Sequence, residues 1–460
     1  MNLTRKKKTM DMTEGVIWKQ LVAFALPLLI GNLFQQLYNT VDSIVVGNFV
    51  STQALAAVGS VTPIINMLIG FFSGLATGAG VVISQYFGAH NGEMVHKSVH
   101  TTILMTIVLG IAFTFIGIGM APAMLRFMST PDDVMASSSE YLRIYFGGVI
   151  GLMLYNIASG ILRAVGDSKR PLYFLIVSSV VNVVFDLVFV IVFKMGVAGV
   201  AWATILAQFI SAALALLSLA KSDGDYKFVI RDLRMDWMVL KKVVRIGLPA
   251  GLQMAITSFS NVFVQSYINA FGSSCMAGWT SYSKIDQFIL LPMQSLSLSA
   301  TTFVGQNLGA GKLARAKKGT RVSLVLSIAI TAVLTVLLLI FSKQMLLLFT
   351  QDDNVLYYGG IFIRFLCPFY VVCCANQIFA GSLRGAGDAT GPMFIMLASF
   401  VFFRQLYLFI GTQFIDSVIY VGLGYPAGWL VCSLGMMIHY YRGKWEKWYT
   451  NKEVSTEATA

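Results

Sequence analysis

Apolar runs of membrane-spanning length recur along almost the whole chain, and no water-soluble core could hide them all. Crossing a bilayer takes about 20 predominantly apolar residues rising about 1.5 Å each. Runs of this kind place helices at 18–48, 54–86, 98–126, 138–164, 171–193 and 198–220, then at 243–270, 276–306, 321–349, 357–383, 391–413 and 419–441. Composition agrees: 57% of residues are hydrophobic and only 12% charged, where soluble proteins average about 25%. So few charges cannot cover a water-facing surface. The expected fold class is therefore an all-α integral membrane protein with twelve transmembrane helices. The first apolar run, Leu21 to Val50, is too long for the core of a cleavable signal, so that helix is expected to stay.

The net charge of +12 raises the question of nucleic acid, and its placement answers it. With the N-terminus and every second loop on one side, 26 of the 33 lysines and arginines fall on that side. Such a bias marks the cytoplasmic face. Both termini are expected in the cytoplasm, the membrane is expected to be a bacterial inner (plasma) membrane, and no nucleic-acid partner is expected. The five cysteines fall in apolar stretches with no metal-ligand spacing. His96 and His100 share a helical face without a Glu or Cys to complete a site, and are read as solvated loop histidines. No metal or cofactor is expected beyond a coupling ion.

The chain repeats itself. GILRAVGDSKRP at 160–171 and GSLRGAGDATGP at 381–392 match at six of twelve positions, at an offset of 221. The same offset aligns the Gln85 and Gln306 segments and pairs Arg143 with Arg364, while Pro27 and Pro249 align at 222. Six helices is an even number, so both halves share one orientation and form pseudo-symmetric six-helix bundles. The expected division is 1–220, a cytoplasmic linker at 221–242 with an amphipathic piece from Trp237 to Arg245 on the membrane surface, 243–445, and a disordered tail at 446–460. The L-R-x-x-G-D loops at Arg163 and Arg384 are read as helix caps and inter-loop salt bridges, with glycine making the tight turn.

Pro27, Gln35, Tyr38 and Asp42 in the first helix, the Gln85 segment and the two L-R-x-x-G-D elements, in this order on twelve helices, resemble the multidrug and toxic compound extrusion (MATE) family along essentially the full length. Asn182 and Asp186 look like the branch related to the DNA-damage-inducible F proteins. The other large bacterial branch is known for acidic residues in the seventh and tenth helices, where this chain has none.

Of 21 carboxylates, only Asp42, Asp186 and Asp286 sit well inside predicted spans. A central charge costs at least about 2.5–3.5 kcal/mol on insertion scales, so each is a functional candidate. Helix rise places Asn182 about 17 Å and Asp186 about 23 Å from the cytoplasmic entry, level with Thr204 on the next helix. Gln35, Tyr38 and Asp42 share a second face. Two carboxylates, an amide and a hydroxyl suit either Na⁺ or a proton, and the resemblance implies a cation site at Asp42, Asn182, Asp186 and Thr204. Gln35, Tyr38, Asn156 and Ser159 are candidate substrate-cavity residues in the same half. The second half does not duplicate the site: Val264 and Tyr407 stand where Asp42 and Asp186 would repeat. It holds Lys284, Asp286 and Arg404 instead, at similar estimated depth, and Asp286 is expected to pair with one of the two cations.

The expected function is a monomeric H⁺- or Na⁺-coupled antiporter that exports amphipathic, cationic drugs or metabolites by alternating access. The alternative is a flippase for lipid or lipid-linked oligosaccharide, since Lys284 and Arg404 would suit a cationic cavity. An uncoupled channel fits the two-lobed repeat poorly. The spans show no nucleophile–base constellation or phosphate loop, so an enzyme is not expected.

Overall fold

A computed structural model describes residues 9–50, 52–128, 130–443, 445 and 446. Within them, the side chains of 39, 42–44, 47, 48, 52, 53, 55, 56 and 259 lie outside that description. Among the described residues there is no strand. The first half comprises α1 (Ile17–Phe49), α2 (Thr52–Gly88), α3 (Gly92–Phe127), α4 (Asp132–Gly147), α5 (Val149–Ala164), α6 (Lys169–Leu187) and α7 (Gly196–Ala220). The second comprises α8 (Trp237–Asn269), α9 (Ser273–Gly309), α10 (Leu313–Ile340), α11 (Ser342–Leu347), α12 (Asp353–Leu366), α13 (Tyr370–Gly385), α14 (Thr390–Met396), α15 (Arg404–Gly411) and α16 (Val418–Tyr441). The expected tail at 446–460 lies outside the described residues except for Glu446.

Ten helical runs are long and apolar enough to cross a membrane, and the pair α4–α5, bent by 47°, makes an eleventh. Helix α8, at 33 residues, is the twelfth long helix. The bend falls at Gly148, where a Cβ would sit 2.4 Å from Ile205, so the close approach admits only glycine. Pro368 breaks α12 from α13, because it has no amide hydrogen to continue the ladder. The fifth span of each half carries a π-helical segment that the apolar pattern does not signal. One runs Val188–Val192, directly after Asp186 and Leu187; the other runs Leu397–Phe403, directly before Arg404. Such insertions are frequent at functional sites.

The chain forms two compact units: Leu26–Gly251, with the described residues up to Asp11, and Met12–Ala25 with the residues from Leu252 onward. Each half's first helix therefore changes unit beside its proline, after Ala25 before Pro27 and after Gly251 just past Pro249. A division at 220 and 243 does not make this exchange. In the first unit, α8 opens against α2 along a glycine seam. A Cβ on Gly74 would lie 2.2 Å from Gly251 N, and one on Gly78 would lie 2.5 Å from Gly247 Cα. In the second unit, the start of the chain is pinned to α9: Ser299 Oγ donates to Leu21 O (3.1 Å) and Asn307 Nδ2 to Met12 O (3.1 Å).

The segment from Trp237 to Arg245 is not a surface-lying piece. It forms the first turns of α8, with Val239 and Val243 fully buried and Lys242 Nζ donating to Tyr86 Oη (2.6 Å). Val239 and Val243 meet protein, while Trp237 and Met238 at the start of α8 stay exposed. Nor are both histidines solvated. His100 is 1% exposed; its Nδ1 lies 2.8 Å from His96 O, and its Nε2 accepts from Val229 N (3.0 Å). With Thr101 Oγ1 accepting from Asp236 N (3.0 Å), it clamps the linker onto α3. We expect His100→Ala to orphan a buried backbone amide at a cost of about 1–3 kcal/mol. Trypsin should then cut at the exposed Lys227, Arg231 and Arg234 roughly tenfold faster, through local opening of the linker. An unchanged cleavage rate would show that the clamp does not hold the linker down.

The L-R-x-x-G-D loops are caps, and the ion pairs described for their aspartates are with Arg170 and His439. Asp167 Oδ1 accepts from the Lys169 and Arg170 amides (3.0 Å each), and its other oxygen pairs with Arg170. Asp388 accepts from Gly391 N (2.9 Å) and meets His439 of α16 (2.7 Å). Gly166 turns at φ +86°, and a Cβ there would meet Met10 O at 2.0 Å.

Candidate functional site

In the first unit the polar residues collect on α6 at its transition into the π segment. Asn182 (2% exposed) and Asp186 (0%) lie four residues apart on one face, and α6 packs against α7. Both amide atoms of Asn182 are buried without a hydrogen-bond partner among the described residues. Leaving such groups unmatched costs about 1–3 kcal/mol each, so the position is not optimised for stability alone. On α7, Thr204 is half-buried and donates to Val200 O (2.9 Å), leaving its lone pairs as the groups it can offer.

Asp42 belongs to α1 by its backbone, and its side chain lies outside the described residues. Gln35 and Tyr38 are half-buried two and one turns earlier, and Tyr38 lies within electrostatic reach of Tyr145 on α4. On α5, Asn156 is half-buried with Nδ2 donating to Leu152 O (2.9 Å), and Ser159 is fully buried. Tyr155, just before Asn156, donates to Pro171 O (3.3 Å) and ties α5 to the start of α6.

The second unit corrects the expected ion pair. Asp286 is half-buried on α9 and accepts a short hydrogen bond from Tyr370 Oη, which lies 2.9 Å from Tyr282 Oη. None of the ion pairs among the described residues involves Asp286, Lys284 or Arg404. Lys284 is exposed, with Nζ 5.5 Å from the Phe349 ring centroid. Arg404 is 2% exposed; its Nη2 donates to Ser260 Oγ (2.8 Å) and Asn261 Oδ1 (2.9 Å). Equal depth did not bring opposite charges together, because the side chains leave their helices in different directions. The tyrosines were the missed partners. Their one signal was aromatic residues bearing hydroxyls beside an intramembrane carboxylate.

His96, His100 and Asp232 bring three ligand-type atoms within 4.8 Å of one another. Both ring nitrogens of His100 are engaged by backbone, so this group is a linker clamp and fits a metal poorly.

The MatE family model matches residues 27–188 and 249–409, one block per repeat. The chain is 30% identical over 447 residues to the probable multidrug resistance protein YoeA of Bacillus subtilis, covering 95% of this chain and 96% of that one. It is 29% identical to the probable multidrug resistance protein YpnP of the same organism, covering 97% and 100%. Among solved structures, an outward-facing multidrug resistance MATE family transporter of the MOP superfamily superposes with a TM-score of 0.89 at 23% identity, covering 96% of this chain and all of that one. A MOP superfamily transporter from Pyrococcus furiosus, described as having reverse polarity of its binding pocket, gives 0.88 at 23% identity and similar coverage. That likeness carries the twelve-helix, two-bundle fold, and the matching repeats carry the family. The chain is a multi-pass membrane transporter of small molecules, not an enzyme, and it belongs to the MATE family of multidrug transporters.

Proposed function

We propose that this protein is an H⁺- or Na⁺-coupled antiporter that exports amphipathic organic compounds, organic cations among them, by alternating access. The carrying observation is the buried Asn182 amide, unmatched at both ends among the described residues, one turn from the buried Asp186. A carboxylate and an amide oxygen on one helix face make a hard, oxygen-rich half-site that a proton or Na⁺ would neutralise. Asp42 and Thr204 are proposed to complete it. Ion binding would offset the cost of burying a carboxylate and shift the balance between outward and inward access. The names of the relatives support drug export. The placement of basic residues supports a bacterial inner membrane orientation with both termini cytoplasmic. Asn182 with Asp186 supports the branch related to the DNA-damage-inducible F proteins, and the protein is proposed to act as a monomer.

A second reading, flipping of a lipid or lipid-linked oligosaccharide, is favoured by one observation: the second unit buries Arg404 with no carboxylate partner among the described residues. Ethidium efflux from proteoliposomes under imposed Na⁺ or pH gradients separates the two. Wild type is expected to move ethidium with one of the gradients, and Asp42→Asn and Asp186→Asn to lose at least about 90% of that movement, a loss of about 1.4 kcal/mol or more in the driven step. Movement indifferent to both gradients and both substitutions would remove the antiporter reading.

A further inference from the structure

The guanidinium of Arg404 is placed by the π segment that ends at Phe403, and it sits among aromatic rings in the second unit. Its Cζ is 4.7 Å from the Tyr425 ring centroid and 5.7 Å from that of Phe400. Tyr425 in turn packs on Trp279 (5.2 Å between centroids) and Trp429 (6.2 Å), so an aromatic wall backs the charge. Stacking on a ring face leaves the in-plane N–H groups free to donate. Of the five donors, Nη2 serves Ser260 and Asn261, while Nε is buried with no acceptor among the described residues. Both acceptors are neutral. The neighbouring carboxylate, Asp286, is held by Tyr370.

A buried cation is ordinarily matched by an opposite charge, because hydrogen bonds to neutral groups do not offset the loss of its hydration. Among the described residues no such charge pairs with it, and the carboxylate of Asp286 is occupied elsewhere. The guanidinium is itself buried, and Asn261, which accepts from its tip, is exposed. We propose that Arg404 anchors a site for the anionic group, a carboxylate, sulfonate or phosphate, of an aromatic amphiphile. The idle donors bind the anion, and the half-buried Tyr425, backed by the core residues Trp279 and Trp429, lies beside them for the ring system. The transporter would thus accept anionic or zwitterionic compounds through its second unit. This rests on the family's transport of small molecules and is independent of the ion coupling proposed for the first unit.

The test is equilibrium binding of two xanthene dyes of nearly the same shape and opposite charge, fluorescein and rhodamine 123, to the purified full-length protein in detergent at pH 8. Wild type is expected to bind fluorescein, and Arg404→Gln to weaken that binding at least tenfold while rhodamine 123 is unchanged or tighter. Because Arg404→Gln could disturb folding, Asn261→Asp is the second variant. The position is exposed, and the new carboxylate would occupy the guanidinium in place. It should also weaken fluorescein at least tenfold without weakening rhodamine 123. Fluorescein binding that is absent in wild type, or equal in wild type and in Asn261→Asp, overturns the proposal. In phosphatidylcholine nanodiscs, displacement of fluorescein by added phosphatidylglycerol would assign the anion to a lipid headgroup, and persistence would assign it to a free amphiphile. Either result upholds the anion site. Ethidium transport plays no part in this readout, so failure of the coupling proposal leaves it standing.

Discussion

Asn182→Leu is expected to raise the melting temperature and, in the same protein, to abolish gradient-driven export. Both effects come from one feature, the buried amide with neither end matched among the described residues. Leucine has the same branching and no polar atoms, so the substitution removes an unmet requirement of about 1–3 kcal/mol and adds apolar burial. A purely structural amide would show the opposite sign, because its loss would break partners elsewhere. Transport should fall at least tenfold under whichever gradient drives wild type, since the ion would lose an oxygen ligand beside Asp186. Differential scanning fluorimetry and proteoliposome efflux on the same preparation decide it. A variant that is less stable and still transports would remove Asn182 from the coupling site.

Gly78→Leu is expected to be the most damaging substitution to the fold. A Cβ at that position would already lie 2.5 Å from Gly247 Cα and N and 2.7 Å from Val243 O, all backbone atoms of α8. A side chain can rotate away from an intruder, but a packed helix backbone cannot. Overpacking a tight interior costs about 1–3 kcal/mol even where side chains absorb it, and the seam offers only backbone. The expected outcome is little or no monodisperse protein on size exclusion, or a strongly lowered melting temperature. Gly59→Ala is the control. Nothing lies within 4 Å of its Cβ position, and alanine is favoured over glycine inside a helix by about 1 kcal/mol, so it should fold as well as wild type or better. Equal stability of Gly78→Leu and Gly59→Ala would show that α2 and α8 do not pack along this seam.

Most of the architecture was legible because the bilayer imposes a length and a polarity on every span. Each of the twelve predicted helices is present, the widest discrepancy at a helix start being α10, which begins at Leu313 and not at 321. The repeat was legible because the same turn chemistry, a glycine at positive φ followed by an aspartate that caps the next helix, recurs at Gly166–Asp167 and Gly387–Asp388. Asn182 and Asp186 were legible as a polar pair on one face because helical spacing alone decides which residues share a face.

Partner choice was not legible. The sequence places Lys284, Asp286 and Arg404 at one depth, but depth says nothing about direction. Only the packing of α9, α13, α15 and α16 turns Asp286 to Tyr370 and Arg404 to Tyr425. His100 reads as a loop histidine until the linker folds back to meet it. The exchange of helix segments between units and the two π segments were likewise hidden, since both are set by contacts far apart in the chain. The sequence by itself determined the number, length and polarity of the helices, because these are local properties judged against the bilayer as solvent. The tertiary structure decided which buried charge meets which partner, because that depends on how whole helices rotate against one another, a quantity summed over contacts no single segment contains.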